Sequence, residues 1–176
     1  LRADRQPEFT QIDLEVSFPT EEDIFALIEG LFARIFPMVG IEVKTPFRRL
    51  TYDDAMARYG SDKPDLRFGV EIQDVTAVAA ASSFKVFQKV AAEGGVVRAI
   101  VVPDGASISR SQTDLWCDFV KKLGLPGVLL LKRSNGELSF SVKQGLAPTE
   151  LEALAAALGL GEGQVAVLAA GAPMTV

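Results

Sequence analysis

An arginine, a phenylalanine and an aspartate recur at equal spacing near the start of the chain, as Arg5-x-x-x-Phe9-x-x-x-Asp13. An arginine can bind a phosphate, an aromatic ring can stack on a nucleobase, and a carboxylate can hold an ammonium group. A protein face that carries these three side chains could therefore contact a ligand.

A spacing of four places side chains on one face of either a helix or a strand. The strand is favoured, because Pro7 would remove a backbone donor from a helix interior and the segment is rich in residues typical of strands. We predict a strand from about 8 to 18. One face would carry Phe9, Gln11, Asp13 and Glu15, and the other Thr10, Ile12, Leu14 and Val16. The alternative is a strand whose polar face meets only water, which is common in antiparallel sheets.

Two longer strings resemble a known family. The first is Leu1-Arg2-Ala3-Asp4-Arg5-Gln6-Pro7-Glu8-Phe9-Thr10-Gln11-Ile12-Asp13, and the second is Arg58-Tyr59-Gly60-Ser61-Asp62-Lys63-Pro64-Asp65-Leu66-Arg67-Phe68. The first resembles the second half of motif 2 of class II aminoacyl-tRNA synthetases. Both strings, in this order, resemble bacterial aspartyl-tRNA synthetases in particular. The second string is a signature near the active-site domain of that family, and we assign no chemical step to its residues.

The resemblance implies roles for individual residues. Phe9 would stack on adenine, Gln6 would hydrogen-bond ATP, and Asp13 would hold the α-ammonium group of aspartate. Arg2 and Arg5 would lie in the motif 2 loop, which meets the ATP phosphates and the tRNA acceptor end. For each residue the alternative is an exposed side chain on a half-buried strand.

The resemblance also implies an activity, that of an aspartate–tRNA ligase. Such an enzyme activates aspartate with ATP and transfers it to the 3′ end of tRNA(Asp), and the family is dimeric. The family's α-phosphate arginine, motif 1, motif 3 and anticodon-binding barrel have no counterpart in these residues, and no Mg²⁺ ligand set can be assembled. Because the chain also begins without methionine in mid-motif, we expect a fragment that holds no catalytic residue and is inactive alone.

Composition excludes several other classes of function. The formal net charge of −5 argues against a non-specific nucleic-acid binder. The absence of histidine and the single Cys117 exclude an internal disulfide, a zinc cluster and histidine-based catalysis. Cys117 lies in a helical pattern, where we expect a buried structural thiol. No run of about eighteen apolar residues predicts a membrane span, and no signal peptide is visible, so we expect a cytoplasmic protein.

The elements that would position the opening residues come next. Thr20 and the acids after it predict a helix over about 21–36, lying across the back of the sheet. A short strand is expected at 41–43. Thr51 and Gly60 have the residue types of a helix cap and a helix stop, and predict a second helix between them.

From about residue 71 alternating elements follow. Strands are expected at 99–102, 128–133, 138–142 and 165–169, and helices at 109–123 and 148–158. Asn135-Gly136 predicts a type I′ hairpin, Thr149 a helix cap and Gly159 a helix stop. The fold class is therefore α+β: part of a class II antiparallel catalytic sheet with helices, followed by an inserted α+β domain.

We predict two domains, 1–70 from the catalytic domain and 71–176 as an insertion domain. The second resembles the GAD-type domain of bacterial aspartyl-tRNA synthetases, also found in a subunit of an archaeal glutamyl-tRNA amidotransferase. The alternative function is a non-catalytic module that contacts tRNA or braces a tRNA-dependent enzyme. Five basic residues could contact RNA there, although solvated charges are the simpler interpretation: Arg110, Lys121, Lys122, Lys132 and Arg133.

Overall fold

The computed structural model describes residues 5–143, 145–173 and 176, with only the backbone described at residue 106. The chain forms two compact units, Leu1–Arg49 and Leu50–Val176. The predicted domain boundary between residues 70 and 71 stays a prediction.

The first unit is built on helix α1, Glu21–Ile35. Thr20 caps it in both directions: its hydroxyl accepts a hydrogen bond from the Asp23 N–H at 3.3 Å, and the Asp23 carboxylate accepts one from the Thr20 N–H at 2.9 Å. This capping box satisfies N–H groups that a helix leaves unpaired in its first turn. The predicted helix over 21–36 is thereby confirmed.

Aromatic contacts fix the segment that follows α1. A short 3-10 helix, Phe36–Val39, continues from it, and the Phe32 ring lies 5.2 Å from that of Phe36 and 6.0 Å from that of Phe47. Arg49 stacks over Phe25 at 4.4 Å and forms an ion pair with Glu22. These contacts hold residues 36–49 against α1.

The strand predicted over 8–18 is wrong. Residues 5–19 are irregular, and Phe9, Ile12 and Leu14 are 70%, 74% and 52% exposed. A strand is stabilised by hydrogen bonds to a neighbour, and none of the described residues pairs with this segment. The strand predicted at 41–43 is wrong for the same reason. The helix over 21–36 was predicted to lie across the back of a sheet containing this strand. Because the strand does not form, α1 has no such sheet to pack against.

The second unit contains a five-stranded antiparallel sheet in the order β1-β2-β5-β3-β4. Its strands are β1 (Ile72–Asp74), β2 (Val96–Val102), β3 (Leu129–Ser134), β4 (Glu137–Phe140) and β5 (Val165–Gly171). The last strand lies in the middle, with Val97 opposite Ala170 and Leu131 opposite Ala166. The sheet confirms the α+β class and all four strands predicted after residue 71.

Five helices accompany the sheet: α2 (Tyr52–Tyr59), α3 (Thr76–Ala80), α4 (Lys85–Ala92), α5 (Arg110–Lys122) and α6 (Pro148–Ala157). The core lies between α3, α4, α6 and one face of the sheet. Its fully buried side chains include Phe87, Leu131 and Leu168. Burying side chains of this size contributes roughly 1.5–3 kcal/mol each, so this unit has a core of its own.

Helices α2, α5 and α6 confirm their predictions, with one correction at α6. Its N-cap is Ala147 instead of Thr149, and the Glu150 carboxylate accepts a hydrogen bond from the Ala147 N–H at 2.7 Å. The reason is Pro148, which is suited to the first helical position and so moves the start forward.

The β3–β4 hairpin turns at Asn135 and Gly136, whose φ angles of 54° and 75° are those of the predicted type I′ turn. The Glu162 carboxylate accepts hydrogen bonds from both backbone N–H groups, at 3.1 Å for Gly136. A carboxylate from outside the hairpin therefore completes the turn.

Candidate functional site

The residues predicted to bind ligand lie in the irregular segment 5–19. Arg5, Gln6, Phe9 and Asp13 are all exposed, and within the described part of the chain the polar ones make no hydrogen bond or ion pair. Arg2 lies outside the described residues. The structure thus places these side chains along one open segment and does not assemble them into a pocket, so their roles stay predictions.

A strand would be needed to align these side chains. On a strand, Phe9 and Asp13 would share a face about 13 Å apart, from a rise of roughly 3.3 Å per residue. In the irregular segment no such alignment is imposed, and a binding site on it would have to be ordered by the ligand or by a pairing partner, at a cost in conformational entropy.

The second string, residues 58–68, is by contrast built into an ordered cluster. Arg58 donates two parallel hydrogen bonds to Glu71, from Nε to Oε2 at 2.9 Å and from Nη2 to Oε1 at 2.7 Å. Tyr59 donates its hydroxyl hydrogen to Glu71 Oε1 at 2.9 Å, and Arg58 also pairs with Asp54 at 3.2 Å. The hydrogen bonds to Glu71 are the main reason why the pKa of Arg58 is raised above its ordinary value.

The polar loop between Tyr59 and Glu71 is ordered by contacts among its own residues. Asp65 caps a short 3-10 helix, Leu66–Phe68, by accepting from the Arg67 N–H at 3.0 Å. It also accepts from Arg67 Nε at 2.8 Å, and the Arg67 hydrogen bonds lower the pKa of Asp65 to about 2. The Asp65 carboxylate therefore stabilises the conformation of this loop.

Sequence reasoning missed Glu71. It stands outside the quoted string and lies thirteen positions from Arg58 and twelve from Tyr59. A glutamate just before a strand gives no local signal for such a contact. Only the return of the chain to α2 brings these groups together.

One groove lies beside α2, and a second, lined by the sheet and by Val120 of α5, adjoins it; the two share Ile72, Arg98 and Val176. The larger, about 400 Å³, is also lined by Asp53, Met56, Ala57, Gly60 and Pro173. Arg98 lies 3.8 Å from the Asp74 carboxylate and donates to the Pro173 carbonyl at 3.3 Å. The guanidinium is thus already compensated, and the rest of the lining is largely apolar.

A third groove of about 430 Å³ runs between α3 and α6 and includes Glu150 in its wall. This carboxylate accepts from the Ser83 N–H at 2.6 Å and its hydroxyl at 2.8 Å. Hydrogen bonds from the Ala147 backbone first, and then from Ser83, lower the pKa of Glu150. Through these hydrogen bonds Glu150 links the α3–α4 turn to the start of α6, so its role is structural.

Most of the basic residues considered for RNA contact form ion pairs or hydrogen bonds within the second unit. Lys121 pairs with Asp118 at 3.1 Å, Lys132 donates to the Ile108 carbonyl at 3.0 Å, and Arg133 pairs with Glu152 at 2.9 Å. The remaining two, Arg110 and Lys122, are exposed on α5. These contacts favour the interpretation of structural or solvated charges.

Cys117 is partly buried on α5, with its Sγ 3.9 Å from the Val128 carbonyl oxygen. This packing agrees with a structural thiol, although its burial is incomplete. Within residues 5–143, 145–173 and 176, no three His, Cys, Asp or Glu side chains are grouped to hold a metal ion. None of the helices in this described part is long and apolar enough to cross a membrane.

Comparison with known proteins gives a consistent result. Residues 1–155 match the family model described as tRNA synthetases class II (D, K and N). An aspartate–tRNA(Asp/Asn) ligase of Chlamydia trachomatis serovar D is 49% identical over 142 residues, covering 81% of this chain and 24% of the relative. Ligases with the same name from Micrococcus luteus and Salinispora arenicola are each 44% identical, covering 98% and 97% of this chain and 28% and 29% of the relatives. The chain spans about a quarter of the length of these relatives.

Proposed function

The chain belongs to the class II tRNA synthetases (D, K and N), and on this premise we propose that it is part of an aspartate–tRNA ligase. The enzyme joins the carboxylate of aspartate to the α-phosphate of ATP, which releases pyrophosphate. It then transfers the aspartyl group from this adenylate to a hydroxyl at the 3′ end of tRNA, which releases AMP. The observation that carries the proposal is the 44–49% identity to ligases of that name over most of the chain.

The proposed ligand contacts lie in the opening segment. Phe9 stacks on adenine, Gln6 hydrogen-bonds ATP, and Asp13 holds the α-ammonium group of aspartate. Arg2 and Arg5 meet the ATP phosphates or the acceptor end of tRNA. Support comes from residue chemistry, and from the exposure of Arg5, Gln6, Phe9 and Asp13, which leaves their side chains open to a ligand.

The chemistry needs positioning and charge stabilisation more than proton transfer by a tuned base. Holding ATP and aspartate in line replaces an encounter of two molecules by a reaction within one complex, and cations offset charge as it develops on the phosphate. A chain without histidine is compatible with this mechanism.

The rest of the ligase completes the proposal. Mg²⁺ would be held outside these 176 residues, where it would neutralise phosphate charge, and the whole enzyme would be a cytoplasmic homodimer. Residues 71–176 would be its insertion domain. The alternative, a non-catalytic module that contacts tRNA or braces the enzyme, is supported by the separate core of the second unit.

Aspartate-dependent ATP–pyrophosphate exchange tests the proposal in the longer protein that carries this chain. Asp13→Ala and Phe9→Ala should each lower the rate more than about tenfold, which corresponds to about 1.4 kcal/mol of transition-state stabilisation. The matched control is Phe119→Ala, since this ring on α5 is 62% exposed and has no proposed ligand; it should leave the rate unchanged.

Two results would contradict parts of the proposal. If neither Asp13→Ala nor Phe9→Ala changes exchange, the opening segment does not bind ATP or aspartate. If the 176-residue chain alone catalyses exchange, it is not the inactive part that we propose. Salt-dependent binding of tRNA by the second unit, together with unchanged exchange in both variants, would favour the non-catalytic alternative.

A further inference from the structure

The second string, which carries the family resemblance, has a clear structural arrangement of its own. Its first two residues, Arg58 and Tyr59, both donate to the carboxylate of Glu71, which lies just before β1. Residues 60–70 therefore leave α2 and return to the same point. The chain reverses through positive φ at both ends, 67° at Gly60 and 64° at Gly69.

Packing reinforces this return. Ala55 of α2 is 3% exposed, and a Cβ added at Gly60 would lie 3.5 Å from Ile72 Cδ1 in β1. The Arg58 and Glu71 side chains are only 30% and 37% exposed, and their two hydrogen bonds are parallel. A partly buried bidentate pair is stronger and more directional than an exposed ion pair.

We propose that the Arg58–Glu71 pair, with Tyr59, fixes both ends of loop 60–70 and holds α2 rigidly against the sheet. We call these three residues the clamp. The string 58–68 is then a loop closed by its own first residues, not a flexible joint between a catalytic part and an inserted domain. This inference concerns contacts within one unit and does not rest on the proposed ligase activity.

Native-state hydrogen exchange of the 176-residue chain tests the clamp. In the unmodified chain the α2 amides should be protected together with β1. Arg58→Gln and Glu71→Gln should each speed hydrogen exchange in α2 by about fivefold or more. In either variant, α2 can open locally without first breaking the paired hydrogen bonds. Exchange in the central strands β2 and β5 should change much less.

The double variant separates a clamp from general destabilisation. If the two side chains act through one contact, Arg58→Gln with Glu71→Gln should exchange within about twofold of the single variants, because partners in one contact are not additive. The matched control is Glu93→Gln, which breaks the exposed Lys89–Glu93 pair and should leave α2 unchanged.

Three outcomes would overturn the inference. The first is α2 exchange that is already unprotected in the unmodified chain. The second is protection that is unchanged in both single variants. The third is a double variant in which the two effects simply multiply, since that would mean that Arg58 and Glu71 stabilise α2 independently.

Discussion

At the scale of single residues, carboxylates in the second unit hold the turns and helix starts. Asp65 orders its loop, Glu71 receives Arg58 and Tyr59, and Glu162 completes the hairpin turn. Each contact satisfies backbone or side-chain donors that would otherwise lose hydrogen bonds on folding. None of these contacts was predicted; those of Glu71 and Glu162 join residues that are distant in sequence and depend on where the chain returns.

Glu150 gives a pH-dependent prediction. Its pKa is lowered in the folded protein by hydrogen bonds from Ala147 and Ser83, so its charged form stabilises the fold. That contribution is complete above the unfolded pKa, which is the ordinary value of a glutamate carboxyl, and is lost as the pH falls through the lower folded value. Glu150→Gln should therefore lower the melting temperature at pH 7, and the difference should shrink at pH 3.

Calorimetry at both pH values measures this effect. Glu137→Gln is the matched control, because Glu137 is exposed on β4, and its melting temperature should follow that of the unmodified protein at pH 7. A Glu150→Gln deficit that is equally large at pH 3 would show that the side chain acts by shape and not by charge.

At the scale of elements, the sequence correctly predicted those helix starts and turns that depend only on neighbouring residues. Helix α1 begins at Thr20 with a capping box, and the hairpin turns at Asn135-Gly136, as their residue types require. The strand over 8–18 failed, since a strand depends on a partner that the periodicity of one segment cannot supply. Helices α3 and α4 were missed because neither has a side-chain cap.

The hairpin gives a prediction at this scale. Gly136 has φ 75°, and a Cβ added there would meet no atom within 4 Å, so any cost of Gly136→Ala comes from backbone conformation alone. An alanine in this region costs about 1 kcal/mol, whereas asparagine tolerates it better. Urea unfolding followed by the fluorescence of Trp116 should show a loss for Gly136→Ala and a smaller one for Gly136→Asn. Equal losses for the two variants would show that the positive φ of Gly136 does not account for the cost.

At the scale of the whole molecule, two boundaries compete. The predicted domain boundary lies between residues 70 and 71, whereas the contacts of the chain divide it between Arg49 and Leu50. The difference is residues 50–70, which hold α2 and the loop after it and which the sequence prediction assigned to the catalytic part. In the structure α2 contributes the buried Ala55, and also Arg58 and Tyr59, which hydrogen-bond to Glu71.

Two truncated chains decide between these boundaries. A chain of residues 50–176 keeps α2 and should unfold cooperatively, with the stability of the sheet unit in the full chain. A chain of residues 71–176 loses Ala55, leaves Glu71 without Arg58 and Tyr59, and uncovers Ile72 beside β2, so it should melt several degrees lower, as expected for a loss of about 1–3 kcal/mol. Thermal unfolding followed by circular dichroism compares them directly. Equal melting temperatures would mean that α2 adds nothing to the sheet, and residue 71 would then be the true start of the domain.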